Sequence, residues 1–132
     1  MTSVDQVAVI AAALPEVTEG ARYGHRTWFV AGKPFAWIRP FSKADLRRFG
    51  DAEPPDGDIL AVRTEDLGEK EAVLAANPKG FFTIEHFANY PAVLVQLRTA
   101  SAEAVREAVL DGWLAVAPPA LAQAHLSGGR PG

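Results

Sequence analysis

The chain has 132 residues, 48% apolar and 22% charged, the proportions of one ordinary globular domain. It has no cysteine, which excludes a disulfide framework, thiol catalysis and cysteine-ligated zinc. A net charge of −3 conceals a segregation: residues 21–49 carry seven Lys/Arg and one acid, Asp45, whereas residues 51–71 carry eight acids against Arg63 and Lys70.

Ser3 and Gln6 have capping-box spacing, and Val4, Val7, Ile10, Ala11 and Leu14 follow at helical intervals, so a helix opens the chain and Pro15 ends it. No basic region precedes its apolar residues, and no apolar run reaches the roughly 18 residues that span a bilayer. The expectation is a soluble cytoplasmic protein with no membrane partner. "PEVTEGARYG" reads as a loop. "HRTWFVA" and "PFAWIRP" are rich in aromatic and β-branched residues and flank Gly32-Lys33, which predicts a hairpin with a type II′ turn at those two residues. That register sets Trp28 opposite Trp37 and Arg26 opposite Arg39. "SKADLRRF" predicts a short helix capped by Ser42, and "GDAEPPDGD" an acidic turn-rich loop.

"ILAVRT" predicts a third strand, after which Thr64 caps a helix over "EDLGEKEAVLAAN" that Asn77-Pro78 stops. "GFFTIEHF" reads as an extended strand, "ANYP" as a turn and "AVLVQL" as a buried strand. Ser101 starts a long helix with Val105, Val109, Trp113 and Val116 on one face, broken at Pro118-Pro119 before a last turn or two ending near Leu126. Strands joined by hairpins and flanked by helices, rather than alternating with them, predict an α+β fold with a largely antiparallel sheet. The domain is expected to span residues 1–126, with residues 127–132 a flexible tail.

No familiar catalytic motif is present. His25, His86 and His125 are far apart in sequence, with none of the spacings of a metal site. There is no nucleophile elbow, P-loop or dinucleotide fingerprint. The acids of residues 51–58 sit in a Pro/Gly loop, where solvation works against the pKa shift a general acid needs. These readings predict a binding protein rather than an enzyme, with no cofactor and no metal.

Two surfaces stand out as candidates. In the predicted register one hairpin face carries Arg26, Trp28 and Val30 opposite Arg39, Trp37 and Phe35. Opposed arginines repel unless an anion or carboxylate lies between them, and guanidinium with aromatic groups is the surface that grips nucleic acids. Lys33 at the turn and Lys43, Arg47 and Arg48 on the short helix extend it. The structural reading is that both tryptophans pack in the core and the arginines meet Glu16, Glu19 or the acidic loop. The second surface is "FFTIEHFANYP", where His86, Asn89 and Tyr90 lie among phenylalanines and could line a small-molecule cleft or simply close the core.

"YGHRTWFVAGKPFAW", the run from "ILAVRT" to "AVLVQL" and the helix bearing Trp113 together resemble the MmcQ/YjbR family of small bacterial proteins over nearly the whole chain. The resemblance implies an α+β domain with helices flanking an antiparallel sheet, and the family's "double wing" DNA-binding label, which derives from fold comparison. It implies no catalytic residues. The leading expectation is therefore DNA binding, with Arg26, Lys33, Arg39, Lys43, Arg47 and Arg48 on phosphates and Trp37 or Trp28 stacking on bases. The alternative is a small-molecule or protein-interaction site at His86, Asn89 and Tyr90.

Overall fold

A computed structural model describes residues 2–128. The elements run α1 (Val4–Ala12), β1 (Val17–Arg22), β2 (His25–Val30), β3 (Lys33–Ile38), α2 (Lys43–Phe49), β4 (Ile59–Arg63), α3 (Leu67–Ala75), β5 (Phe81–Phe82), a 3-10 turn at Glu85–Phe87, β6 (Ala92–Gln96), α4 (Ala102–Val116) and α5 (Pro119–Gly128). The strands form one six-stranded antiparallel sheet in the order β1-β2-β3-β4-β6-β5. The fold is thus α+β, as the strand grouping predicts.

Alternation along β4 and β6 builds two cores. Leu60, Val62, Val93 and Val95 face α1 and α4, where they meet Val7, Ala11, Val105, Val109 and Trp113. Ile59, Ala61, Ala92 and Leu94 face the other way and are covered by Trp37 and Phe87, with Phe41, Phe82 and Ile84 packed beside them. Both faces of β4 and β6 are therefore apolar, which is why these strands read as continuous hydrophobic runs. α4 comes close to the sheet at Gly112, where a Cβ would lie 2.7 Å from Val62 Cγ1 and 3.1 Å from the carbonyl oxygens of Phe35 and Arg63.

The β2–β3 hairpin differs from its predicted register. Its two-residue turn is Ala31-Gly32, with φ of 53° and 75°, so Val30 pairs with Lys33. Positive φ at both central residues is the type I′ geometry that matches strand twist. A bulge then shifts the pairing so that Trp28 opposes Ala36 and Thr27 opposes Trp37. Phe35 and Ala36 consequently join the same core, and Trp37 emerges on the opposite face from Trp28. The predicted face carrying Arg26, Trp28, Trp37 and Arg39 together does not form.

Other corrections are local. The stretch read as a loop after Pro15 contains β1, an edge strand whose polar, largely exposed residues have no alternation to betray them. Asp66, not Thr64, caps α3: its side chain accepts from the Glu69 amide, while the Thr64 hydroxyl donates to the Asp66 carbonyl. "GFFTIEHF" gives only the two-residue β5 and the 3-10 turn. α5 continues to Gly128, so residues 127 and 128 of the predicted tail are helical, and residues 129–132 lie outside the described residues. No helix among the described residues is long and apolar enough to cross a membrane.

Candidate functional site

A cleft of about 560 Å³ opens on the sheet face that bears Trp37. Its first wall is the β1–β2 turn, where Arg22 pairs with His25 and Tyr23-Gly24 form the connection with φ of 53° and 79°. This is again type I′ geometry, and it leaves the Tyr23 side chain almost wholly exposed at the rim. Trp37 and Ile38 of β3 form the floor, and residues 39–42 lead from it to α2. The far wall is His86, Phe87 and Tyr90 from the segment after β5.

That far wall is irregular backbone, and buried polar groups hold it in place. Lys70 on α3, only 4% exposed, reaches across and donates from Nζ to the Phe87 carbonyl and, at 2.8 Å, to the Tyr90 carbonyl. Burial pulls its pKa below the ordinary lysine range. Arg63 Nε donates to the Pro91 carbonyl at 3.2 Å, and its guanidinium lies 5.7 Å from the Tyr90 ring centre. The rings then pack edge to face, Tyr90 against Phe87 at 5.5 Å and against Trp37 at 6.3 Å.

Two guanidinium groups line this aromatic surface, and their surroundings differ. Arg39 lies 5.5 Å from the Phe87 ring centre and binds Asp45, Nη2 to Oδ2 at 3.0 Å. Burial alone would push the Asp45 carboxyl up, but the Ser42 amide and hydroxyl and the Arg39 guanidinium outweigh it and hold its pKa below the usual range. Arg22 has no acid within ion-pair distance among the described residues. Its guanidinium lies 5.4 Å from the Trp37 ring centre and 5.7 Å from that of Tyr23, and its Nε is buried without a hydrogen-bond acceptor. An unsatisfied buried donor costs about 1–3 kcal/mol, so this is the least satisfied polar group of the cleft.

Of the residues singled out from sequence, Trp37, Arg39, His86 and Tyr90 meet in the cleft. Asn89 is exposed and does not line it. Arg26 is on the other side of the sheet, over Trp28, with Nε and Nη2 each 3.0 Å from Glu19 and Nη1 3.3 Å from Asp5. The hydrogen bonds from Arg26 chiefly hold the Glu19 pKa below its ordinary value. Trp28 is 1% exposed and donates its indole N–H to Glu19. Arg48 sits 3.8 Å from both Asp45 and Glu85, whereas Lys33, Lys43 and Arg47 are exposed with no ion pair among the described residues. The acidic loop does not reach these cations: Asp56 binds Arg98 and accepts from Gln96 Nε2 at 2.9 Å.

Sequence reading missed Arg22, Tyr23 and Lys70. The first two fall in the stretch read as a loop, where Tyr-Gly before a strand was the available turn signal. Lys70 falls on an outwardly ordinary charged helix. Among the described residues no group of three or more His, Asp or Glu is arranged to hold a metal ion.

With this geometry in hand, comparison with known proteins gives a consistent result. The chain is 42% identical over 130 residues to uncharacterized proteins of Mycobacterium bovis and Mycobacterium tuberculosis, covering 96% of this chain and 98% of each relative. No solved structure matches it. The YjbR family pattern matches residues 12–115, from the end of α1 through most of α4, and the chain belongs to the YjbR family.

Proposed function

We propose that this protein is a binding domain whose cleft takes a flat ring bearing an anionic group. The ring lies on the Trp37–Tyr90 surface and the anion meets Arg22. The observation that carries this reading is Arg22 itself, a guanidinium over the Trp37 and Tyr23 rings, with no acid partner among the described residues and a buried Nε that has no acceptor there. Guanidinium groups over aromatic faces present both a stacking plane and a fork of donors, and an anion there satisfies what the protein leaves open. The proposal is binding rather than catalysis. Among the described residues no carboxylate lines the cleft, and the carboxyls whose pKa is raised, Glu69 and Asp111, lie by a different depression between α3 and α4.

The test compares 1-naphthoate with uncharged 1-naphthylmethanol by titration calorimetry, on the native chain and on Arg22→Gln. Naphthoate is expected to bind the native chain more tightly than the alcohol, and Arg22→Gln to remove that difference. Equal binding of both to the native chain contradicts the reading.

A second reading, DNA binding, is favoured by one observation. Lys43 and Arg47 are exposed, unpaired among the described residues, and sit on α2, whose cap Ser42 lines the cleft. A strand with one base on Trp37 would carry its phosphates across α2. Arg26 and Arg39, each already bound to carboxylates, are poor phosphate contacts in this arrangement, and Lys33 lies at the separate Ala31-Gly32 turn. Fluorescence anisotropy with single- and double-stranded DNA across a salt series tests it. Salt-sensitive binding that weakens in a Lys43→Glu/Arg47→Glu variant supports it, and no binding at low salt removes it.

A further inference from the structure

The cleft reading leaves the number of negative charges on the ligand open, and the ion pairs around the cleft limit it. Arg39 is tied to Asp45, whose side chain is 1% exposed. Asp45 is itself locked, because its Oδ2 accepts from the Ser42 amide at 2.9 Å while its own amide donates to the Ser42 hydroxyl at 3.1 Å. Freeing Arg39 for a ligand would take its close ion partner from a buried carboxylate. Behind it, Arg48 is shared between Asp45 and Glu85, each at 3.8 Å. Of the two arginines that line the cleft, Arg39 is thus engaged, and Arg22 has no acid partner among the described residues; Lys43 and Arg47, also unpaired, lie outside the cleft lining.

Resting on the cleft reading above, we infer that the site selects a planar aromatic ligand with a single negative charge, of the aromatic carboxylate class, over dianions and polyphosphates. The carboxylate takes the guanidinium of Arg22. A second charge on the ligand meets no unpaired Lys or Arg among the described residues that line the cleft, because Arg39 is already neutralised by Asp45. The aromatic body is held by Trp37 and Tyr90, whose rings meet edge to face and so form an angled wall rather than a flat sandwich.

The experiment is calorimetric titration at about pH 8, where a phosphomonoester carries close to two charges. The probes are 1-naphthoate, 1-naphthyl phosphate and 1-naphthylmethanol. Naphthoate is expected to bind the native chain about tenfold more tightly than the phosphate ester. Asp45→Asn releases Arg39 and is expected to narrow or reverse that order. Because Asp45 also caps α2, Glu85→Gln serves as a second variant: the Glu85 side chain is 75% exposed, and its loss shifts the preference the same way with less risk to the fold.

The inference is overturned if the phosphate ester binds the native chain as tightly as naphthoate, or if neither substitution moves the ratio. In both cases the cleft reading survives so long as both anions bind more tightly than the alcohol. If the alcohol matches the anions, or none of the probes binds, the cleft reading itself falls and takes the inference with it.

Discussion

Replacing Lys70 by Met tests how the far wall of the cleft is built. Met keeps most of the apolar stem and removes the ammonium that joins α3 to the Phe87 and Tyr90 carbonyls. Hydrogen bonds from a charged donor are each worth about 1.5–3 kcal/mol. The native chain sets against them the burial of an ammonium in a site only 4% exposed, a cost that Met escapes. Neither carbonyl is orphaned, because the Tyr90 amide still donates to Phe87 at 3.0 Å and the Ala92 amide to Tyr90 at 2.8 Å. The net loss is therefore expected to be about 2 kcal/mol, and local. Amide exchange at Phe87, Ala88 and Tyr90 should accelerate more than in β4 or β6, and naphthoate affinity should fall.

The pH dependence gives a second readout of the same residue. The folded-state pKa of Lys70 lies below the ordinary value of about 10.4, so over the window between the two the unfolded chain binds more protons. The contribution of Lys70 to stability must then rise with pH through that window and vanish in Lys70→Met. Unchanged exchange at Phe87 and Tyr90, or a uniform loss of protection across the sheet, would refute the claim that Lys70 specifically fixes this wall.

Gly112→Ala should destabilise the protein by about 1–3 kcal/mol despite better helix propensity, since the added methyl meets backbone carbonyls on two strands. A lower denaturant midpoint with an unchanged slope would register it. Ala31→Asn should stabilise by about 0.5–1 kcal/mol, because Asn tolerates the positive φ that Ala31 adopts and Asn-Gly is the preferred type I′ pair. Thermal melting decides it, and a lower midpoint would contradict the turn assignment. Toward acid, opposing signs are expected. Glu69 and Asp111 are raised chiefly by burial, so stability should climb as pH falls from neutral through their folded values. Glu19 and Asp45 are depressed, so their contributions are lost as pH drops below about 4 through their folded values. A stability curve that declines steadily from neutral pH downward would contradict the first half.

Much of the fold was legible because its signals are local. The capping box of α1, the Ser42 cap of α2, the start of α4 at Ser101 and the runs that became β4 and β6 all appear where sequence placed them. The site was less legible, for two physical reasons. A single bulge in β3 moves Trp37 to the face opposite Trp28, and bulges leave no clear mark in an alternating pattern. β1 is an edge strand with polar residues and Gly20 in its middle, so Arg22 had no strand to be assigned to. His86 and Tyr90 were found from their aromatic surroundings, but their juxtaposition with Arg22 and Arg39 depends on Lys70, Arg63 and the bulge acting together.

The most direct test of the cleft as a binding site uses the three tryptophans as internal reporters. Their indole N–H groups give separate signals in a nitrogen-15 correlation spectrum. Trp28 and Trp113 have their rings in the other core and donate these N–H groups to Glu19 and to the Pro15 carbonyl, while Trp37 floors the cleft. Titration with 1-naphthoate is predicted to move the Trp37 signal progressively and leave Trp28 and Trp113 in place. A stationary Trp37 signal at saturating naphthoate, or shifts confined to the other two, would contradict the account.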